Sequence, residues 1–330
     1  SSNLTITEES TQGHYTISKP DETQTYADVL ANINKRFNDF SLVANVGASI
    51  VNNRYEDLSY RGPIREKGIP NVFNVFDLDN TKKKARQDEW QEQTQSIFAS
   101  VEVGWKSMLY LTLTGRNDWA SQLANSSTPC FFYPSVGLSG VISEMLTLPE
   151  FIDYMKVRGS FSSVGMPYPR NLTSPTYEYD EANQQWKPKT HYPIKDLKPE
   201  RTNSWELGLD MRLFKDFSLG FSWYLANTFN HTFDPKVSVS SVYSKIYLQT
   251  GYVRNSGVEL SLGYGHTWNN HLHWESNFTL SHNKNTIKDL VTSYIHPETG
   301  LPITQNRLDV GGLGKARFIL KKGGTLGDLY

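Results

Sequence analysis

The sequence lacks three features that mark common classes of protein. It has one cysteine, Cys130, so neither an internal disulfide nor a cysteine-based metal cluster can form. Its 33 Lys and Arg residues are balanced by 34 Asp and Glu residues, so no basic surface field attracts nucleic acid. No apolar run reaches the roughly 18 residues of a transmembrane helix. Residues 1–5 do not resemble a secretory signal, so we expect a processed chain or an excerpt.

The sequence has instead a repeated alternation of apolar and polar residues. In residues 97–105, Ile97, Val101 and Trp105 share one parity, while Ser100 and Glu102 share the other. A period of two predicts β-strands. The run is about ten residues long, which suits a tilted strand crossing a bilayer. Similar runs occupy 26–34, 40–50, 109–114, 132–142, 155–162, 204–213, 218–225, 258–264 and 272–280.

The connections between these runs alternate in length. Short turns are predicted near residues 37, 105, 144–152, 215 and 266, and longer loops at 52–91, 115–130, 165–201, 228–251 and after 284. We interpret 143–151 as a short helical connection capped by Ser143, and 1–23 as a loop or short strand.

Short turns on one side and long loops on the other are typical of outer-membrane barrels. We therefore predict an all-β fold, in which residues 1–330 form a single region of an antiparallel transmembrane β-barrel with about ten long strands. The short turns would face the periplasm and the long loops the exterior. A soluble sandwich with one solvated face shows the same alternation, but its loops are usually less regular.

The two faces of these strands predict two environments. The apolar face would contact lipid, and aromatic residues near the run ends would lie at the membrane interfaces: Trp105, Phe132, Tyr154, Phe217, Tyr264 and Trp268. The polar face carries charges in mid-strand, which a dry core would penalise and a wet or plugged lumen tolerates. The lumen-facing candidates are Glu102, Arg158, Glu206, Asp210, Arg212, Glu259 and Glu275.

Five motifs then point to one family. In chain order they are Leu113–Ser121 with Phe132–Val136, Met155–Phe161 with Val164 and Gly165, Leu197–Asp210, Gly251–Leu260 and Gly323–Tyr330. In the residues and the order of these motifs, the sequence resembles the SusC/RagA family of TonB-dependent outer-membrane transporters, over about residues 95–330. A single such motif would be weak, whereas five in the family's order are specific.

The resemblance implies a function for the whole protein. Such proteins lie in the outer membrane of Gram-negative bacteria and import large nutrients, more often an oligosaccharide than a peptide. They work with a SusD-like surface lipoprotein and take energy from the TonB complex. Their barrels have roughly 22 strands and a plugged lumen.

The sequence departs from the family pattern in what it contains. We find no plug, TonB box or C-terminal closing strands, and about ten strands cannot close such a barrel. We therefore expect a middle-to-late excerpt of a chain roughly three times longer, which alone transports nothing. The alternative is a non-transporting all-β surface module for glycan binding or attachment, which would stay monomeric without detergent.

Candidate catalytic and metal-binding patterns are weak. No nucleophile elbow, triad spacing or phosphate loop occurs, so we expect neither an enzyme nor a cofactor. His271 and His273 form a possible metal pair, but turn or lumen-side histidines are the better interpretation. The stretch Asp77–Asn80 lacks the EF-hand spacing and is expected to be solvated, so we predict no metal.

The loops contain candidates for substrate contact. Aromatic rings stack on sugar faces, while carboxylates, amides and arginine bond sugar hydroxyls. The candidates are Arg116, Asn117, Asp118, Trp119, Tyr168, Tyr177, Tyr179, Trp186 and Tyr192. The alternative is that the rings pack the loops on each other or on the lipoprotein. Arg116 and Asp118 would then brace the base of their loop through charge-assisted hydrogen bonds.

Overall fold

The computed structural model describes residues 13–66, 72–124, 126–167, 170, 177–180, 184–188, 198–233, 248–249, 251–268, 272–295, 302–305, 307–313 and 316–328. Within these ranges, ten strands form one large sheet in which each strand neighbours the next along the chain. They are β1 His14–Phe37, β2 Phe40–Pro63, β3 Lys84–Trp105, β4 Leu109–Ala120, β5 Cys130–Val141, β6 Ile152–Met166, β7 Glu200–Leu213, β8 Phe217–Phe229, β9 Tyr252–Trp268 and β10 Leu272–Asp289.

The predicted strand count and the meander order are confirmed. The pairs from β4 to β10 are antiparallel. Two-stranded ribbons accompany the sheet: Tyr177–Asp180 with Gln185–Pro188, Thr232–Phe233 with Leu248–Gln249, Val291–Ile295 with Pro302–Gln305, and Arg307–Leu313 with Ala316–Lys321. No helix among the described residues has the length and apolar character needed to span a membrane.

The connection between β5 and β6 contains the predicted helical turn, α1 Ile142–Met145. The predicted cap was wrong. Val141 occupies the N-cap position without a side-chain bond, and Ser143 lies inside the helix with its Oγ buried and lacking a hydrogen-bond partner. The Val141 N–H donates instead to the carbonyl of Met108 at 2.7 Å, next to the Leu109–Gly140 pair of the β4–β5 ladder.

The long loop predicted at 52–91 was the largest error. β2 continues to Pro63 and β3 already begins at Lys84, while β1 begins at His14 within the region assigned as loop or short strand. These extensions carry polar residues on both faces, so they have no hydrophobic period to reveal them. Their ladder hydrogen bonds do not depend on apolar side chains, so the strands continue where the alternation ends.

The chain divides into two compact units. The first contains residues 1–27, 49–95 and 177–187. Its small core includes Ile64 and Leu78, which form an isolated antiparallel bridge and are almost fully buried. Arg65 supports this bridge, because its backbone N–H bonds the Asp77 carbonyl and its guanidinium lies 2.9 Å from the Asp77 carboxylate.

The second unit contains residues 28–48, 96–176 and 188–330. Its registers separate the two predicted faces. Thr112 pairs with Gly137, Gly137 with Ser160, and Ser160 with Glu206, so these positions share the polar face. On the opposite face, Val136 pairs with Phe161, and Phe161 with Trp205. Val136 and Trp205 are exposed and Phe161 is half-buried, as expected for a surface that contacts lipid.

The short-turn edge of this unit carries a row of aromatic rings. Phe217 contacts Phe214 and Tyr264 at centroid distances of 6.5 and 4.8 Å, and His266 contacts Trp268 at 4.5 Å. Backbone hydrogen bonds also join consecutive turns: Lys106 N–H donates to Asp39 O, Phe214 N–H to Phe151 O, and Gly265 N–H to Asp216 O. The predicted interface aromatics Phe217, Tyr264 and Trp268 therefore lie together at this edge.

Candidate functional site

A charged network lies on the polar face of β6, β7 and β8. The Arg158 guanidinium donates from Nη1 to Asp210 Oδ2 at 2.6 Å and from Nη2 to Ser222 Oγ at 2.9 Å. Its Nε lies 3.5 Å from Glu206 Oε1. These groups are partly exposed, so the network is a hydrated surface cluster rather than a dry ion pair.

A glycine makes the reach of Arg158 feasible. Gly208 on β7 pairs with Arg158 on one side and with Ser222 on the other. A Cβ placed on Gly208 would lie 2.5 Å from Arg158 Nε and 2.6 Å from Cζ. The guanidinium therefore lies flat across β7 in space that any other residue type would occupy.

The registers place all seven lumen-facing candidates on this polar face, although only three meet in the network. Arg212 pairs with Ser218, Glu259 with Ser222, and Glu275 with Gly265. Glu102 reaches the same face because its Oε2 accepts from Thr112 Oγ1 at 3.3 Å. The result is a continuous polar wall with mixed charge, which suits a water-filled or plugged lumen.

A second network lies on β3, β4 and β5, near the long loop that joins β4 to β5. Arg116 donates from Nε to Asp118 Oδ1 at 2.7 Å and from Nη2 to Ser96 Oγ at 2.8 Å. Its guanidinium also lies 5.7 Å from the ring centroid of Phe98. Asp118 is only 8% exposed and hydrogen-bonds the hydroxyl of Tyr133.

These contacts are the ones expected of a structural brace. Arg116 and Asp118 use their charged groups on each other and on neighbouring strands, whereas Trp119 on the same strand stays exposed. Asn117 pairs with Phe132 in the β4–β5 ladder. Sequence reasoning missed Ser96 and Phe98. The available signal was Phe98, an aromatic residue at a polar-face position, which requires a partner there.

Three of the aromatic candidates lie on one ribbon of the first unit. Tyr177 and Trp186 are 66% and 68% exposed, and the rings of Tyr179 and Trp186 meet edge to face at 5.3 Å. The Tyr179–Trp186 contact is the packing within a loop that the alternative predicts, while Tyr177 and much of Trp186 remain exposed. The candidates Tyr168 and Tyr192 lie outside the described residues.

The structure places no metal-binding group of three His, Cys, Asp or Glu side chains within the described ranges. The oxygens of Asp77–Asn80 are used locally instead. Asp79 accepts from the hydroxyl and N–H of Thr81, which lowers the pKa of its carboxyl, and Asn80 accepts from Lys83. His273 contacts Thr267, while His271 lies outside the described residues.

Comparison with known proteins gives one family. A family model described as "TonB dependent receptor-like, beta-barrel" matches residues 2–320. Two relatives come from Formosa agariphila. TonB-dependent receptor P39 is 23% identical over 315 residues, covering 91% of this chain and 28% of that protein. TonB-dependent receptor P26 is 25% identical over 226 residues, covering 66% and 23%. The chain thus spans about a quarter of these relatives' length.

Solved structures share the fold. The RagAB peptide transporter aligns with a TM-score of 0.72 and 15% identity, over 94% of this chain and 33% of that chain. The outer membrane transporter YddB from Escherichia coli aligns with a TM-score of 0.57 and 9% identity, over 82% and 34%. At these identities the likeness concerns the fold alone.

Proposed function

Since the chain belongs to the TonB-dependent receptor-like β-barrel family, whose members lie in the outer membrane of Gram-negative bacteria, we propose that it forms part of the wall of an importer of large nutrients. The observation that carries this proposal is the polar wall of the second unit. Arg158, Glu206 and Asp210 hold charge in mid-strand, where a channel lumen keeps it hydrated. The opposite face presents apolar side chains to lipid.

For the cargo we propose an oligosaccharide rather than a peptide. The support is the exposed aromatic ribbon with Tyr177, Tyr179 and Trp186, because flat rings complement the C–H faces of sugar rings. The similar fold of RagAB, described as a peptide transporter, makes peptide the competing cargo. We therefore treat the two cargo classes as outcomes of one experiment.

The proposal includes two partners. A SusD-like surface lipoprotein would cooperate with the long-loop side, as the motifs between residues 95 and 330 imply. The TonB complex would supply energy through parts of the whole protein. The chain would have no enzymatic activity, and the whole transporter would pass intact cargo, so product analysis after uptake should recover unmodified oligosaccharide.

The experiment measures uptake in cells that carry the full-length transporter and its neighbouring lipoprotein. A fluorescent oligosaccharide panel and a peptide panel are offered with and without a protonophore, which removes the energy that TonB uses. We expect energised accumulation of at least one oligosaccharide in the periplasm and no accumulation after protonophore treatment.

Two outcomes would contradict the proposal. Energised uptake of peptides alone would reject the sugar cargo while keeping the importer. Uptake that is unchanged by the protonophore and by deletion of the transporter gene would reject the proposed importer function. Expression of residues 1–330 alone serves as the control, and we expect it to support no uptake.

A further inference from the structure

The outward extensions of β2 and β3 carry an aromatic pair that the loop candidates did not include. The rings of Tyr55 and Trp90 lie 5.5 Å apart between centroids with an interplanar angle of 12°. Both residues belong to the first unit, in strand segments beyond the apolar alternation that ends near Ile50. Their surroundings are therefore aqueous rather than lipid.

Polar side chains continue the same face next to the rings. Asn53 lies two residues from Tyr55, and Glu92 lies two residues from Trp90, so each shares the face of its aromatic neighbour. Asn53 Nδ2 donates to Glu92 Oε1 at 3.5 Å, and Gln24 Nε2 donates to Asn53 Oδ1 at 2.9 Å. These five residues, Gln24, Asn53, Tyr55, Trp90 and Glu92, are called the Tyr55–Trp90 patch.

The patch differs in composition from the rest of these two strand segments. Elsewhere on β2 and β3, cross-strand neighbours such as Gln91 and Asn52, or near neighbours such as Arg86 and Asp88, pair polar groups without rings. The half-buried Tyr55–Trp90 pair instead places aromatic rings beside amide and carboxylate groups. Such a combination is typical of a binding surface, with rings for contact area and a few polar groups for orientation.

We propose that the Tyr55–Trp90 patch is an oligosaccharide-binding subsite on the external side of the transporter. A pyranose ring would lay its C–H face on the electron-rich aromatic surface. Its hydroxyls would bond the Asn53 and Gln24 amides and the Glu92 carboxylate, which together offer both donors and acceptors. This subsite rests on the proposed function, and it deepens that function by adding an entry point for cargo.

A sugar fits this chemistry better than a peptide. A peptide in extended form is held chiefly by backbone hydrogen bonds to an open strand edge. The Tyr55–Trp90 patch lies on the face of β2 and β3, where its contacts are made by side chains rather than by the backbone of a strand edge. The patch therefore offers only side chains, which suit a ligand rich in hydroxyls.

The test uses the detergent-solubilised full-length transporter on an immobilised glycan array, with a peptide array in parallel. The variants are Trp90→Ala and Tyr55→Ala. Phe76→Ala is the matched control, since Phe76 is an exposed aromatic residue of the same unit outside the patch. We expect each patch variant to bind its best oligosaccharide about tenfold more weakly, and the control to bind as the unaltered protein does.

The possible results separate the two proposals. Oligosaccharide binding that is equal in all variants would overturn the subsite and leave the proposed cargo class intact. No oligosaccharide binding by the unaltered protein would overturn the cargo class. Heat-modified migration of each variant on gels reports folding, and Trp90→Phe, which keeps a ring, should recover most of the lost affinity if stacking is the cause.

Discussion

The guanidinium of Arg158 passes directly over the Cα of Gly208 to reach the next strand. It bonds Asp210 on β7 and Ser222 on β8, and the missing side chain of Gly208 provides the room. One glycine thus lets a single arginine tie three strands of the polar wall together. Surface ion pairs are individually weak, but the shared guanidinium reduces the conformational entropy lost for each bond.

Replacing this glycine should disturb the network. We predict that Gly208→Ala destabilises the full-length protein by about 0.5–1 kcal/mol, because the new methyl group displaces Arg158 from Ser222 and Asp210 in a hydrated network. The measurement is the temperature at which heat-modified migration changes in detergent. Gly137→Ala is the matched control on the same face, where an added Cβ meets nothing closer than 3.9 Å. Equal transition temperatures for the two variants would contradict the role of Gly208.

The sequence predicts this fold well only in segments where one face of a strand is apolar and the other is polar. Inside the bilayer one face of each strand is apolar, so the runs near Leu111, Leu207 and Phe221 revealed both strands and faces. Outside the bilayer, the segments 52–63 and 84–91 are polar on both faces. They therefore show no hydrophobic period, although their hydrogen-bonded ladders continue. The sequence pattern thus finds the membrane-spanning part of a strand rather than its end.

The candidate site shows a similar limit. Charge in mid-strand predicted which residues share the polar face, including Arg158, Glu206 and Asp210. Which of them meet depends on register, and register depends on cross-strand partners that the sequence does not display. Nothing in the sequence distinguishes Gly208 from other small residues in the predicted strands. Its role became visible only once it lay opposite both Arg158 and Ser222.

The turn between β3 and β4 offers a test of backbone strain. Lys106 and Ser107 both have positive φ, at 51° and 59°, and the N–H of Met108 bonds the Trp105 carbonyl at 2.9 Å. Such a turn favours Asn or Gly at its centre. We predict that Ser107→Gly stabilises the protein by about 0.5–1 kcal/mol, while Ser107→Val destabilises it by a similar amount. Denaturant midpoints of refolded full-length protein would check the order, and a reversed order would contradict it.

The aromatic row at the short-turn edge should matter more in lipid than in detergent. Phe217 contacts both Phe214 and Tyr264, so Phe217→Ala removes ring contacts worth about 0.5–1.5 kcal/mol beyond their area. We expect slower insertion into lipid vesicles and little change in a detergent micelle, which adapts to the altered girdle. Phe217→Trp keeps an interfacial ring and should insert normally. An equal defect in both media would indicate a packing role unrelated to the membrane interface.

The Arg116–Asp118 pair separates a brace from a substrate contact. Asp118→Ala removes the partner of Arg116 Nε and of the Tyr133 hydroxyl at a nearly buried position. The cost should be about 1–2 kcal/mol, since Arg116 and the Tyr133 hydroxyl lose their acceptor while the guanidinium, 43% exposed, stays hydrated. If the pair braces the strands, the variant lowers the amount of folded transporter and leaves the KM of the molecules that do fold unchanged. Asp118→Asn keeps an acceptor for Arg116 and should recover part of the folded amount.

A substrate contact would give the opposite pattern. The folded amount would then be nearly normal, and the KM for uptake would rise in both Asp118 variants. Trp119→Ala is the internal control, because Trp119 is exposed on the same strand and outside the brace. A raised KM in Trp119→Ala alone would assign cargo contact to the exposed ring and leave Arg116 and Asp118 with the structural role. Uptake kinetics normalised to surface-exposed protein distinguish these cases, because normalisation removes the effect of misfolding from the rate.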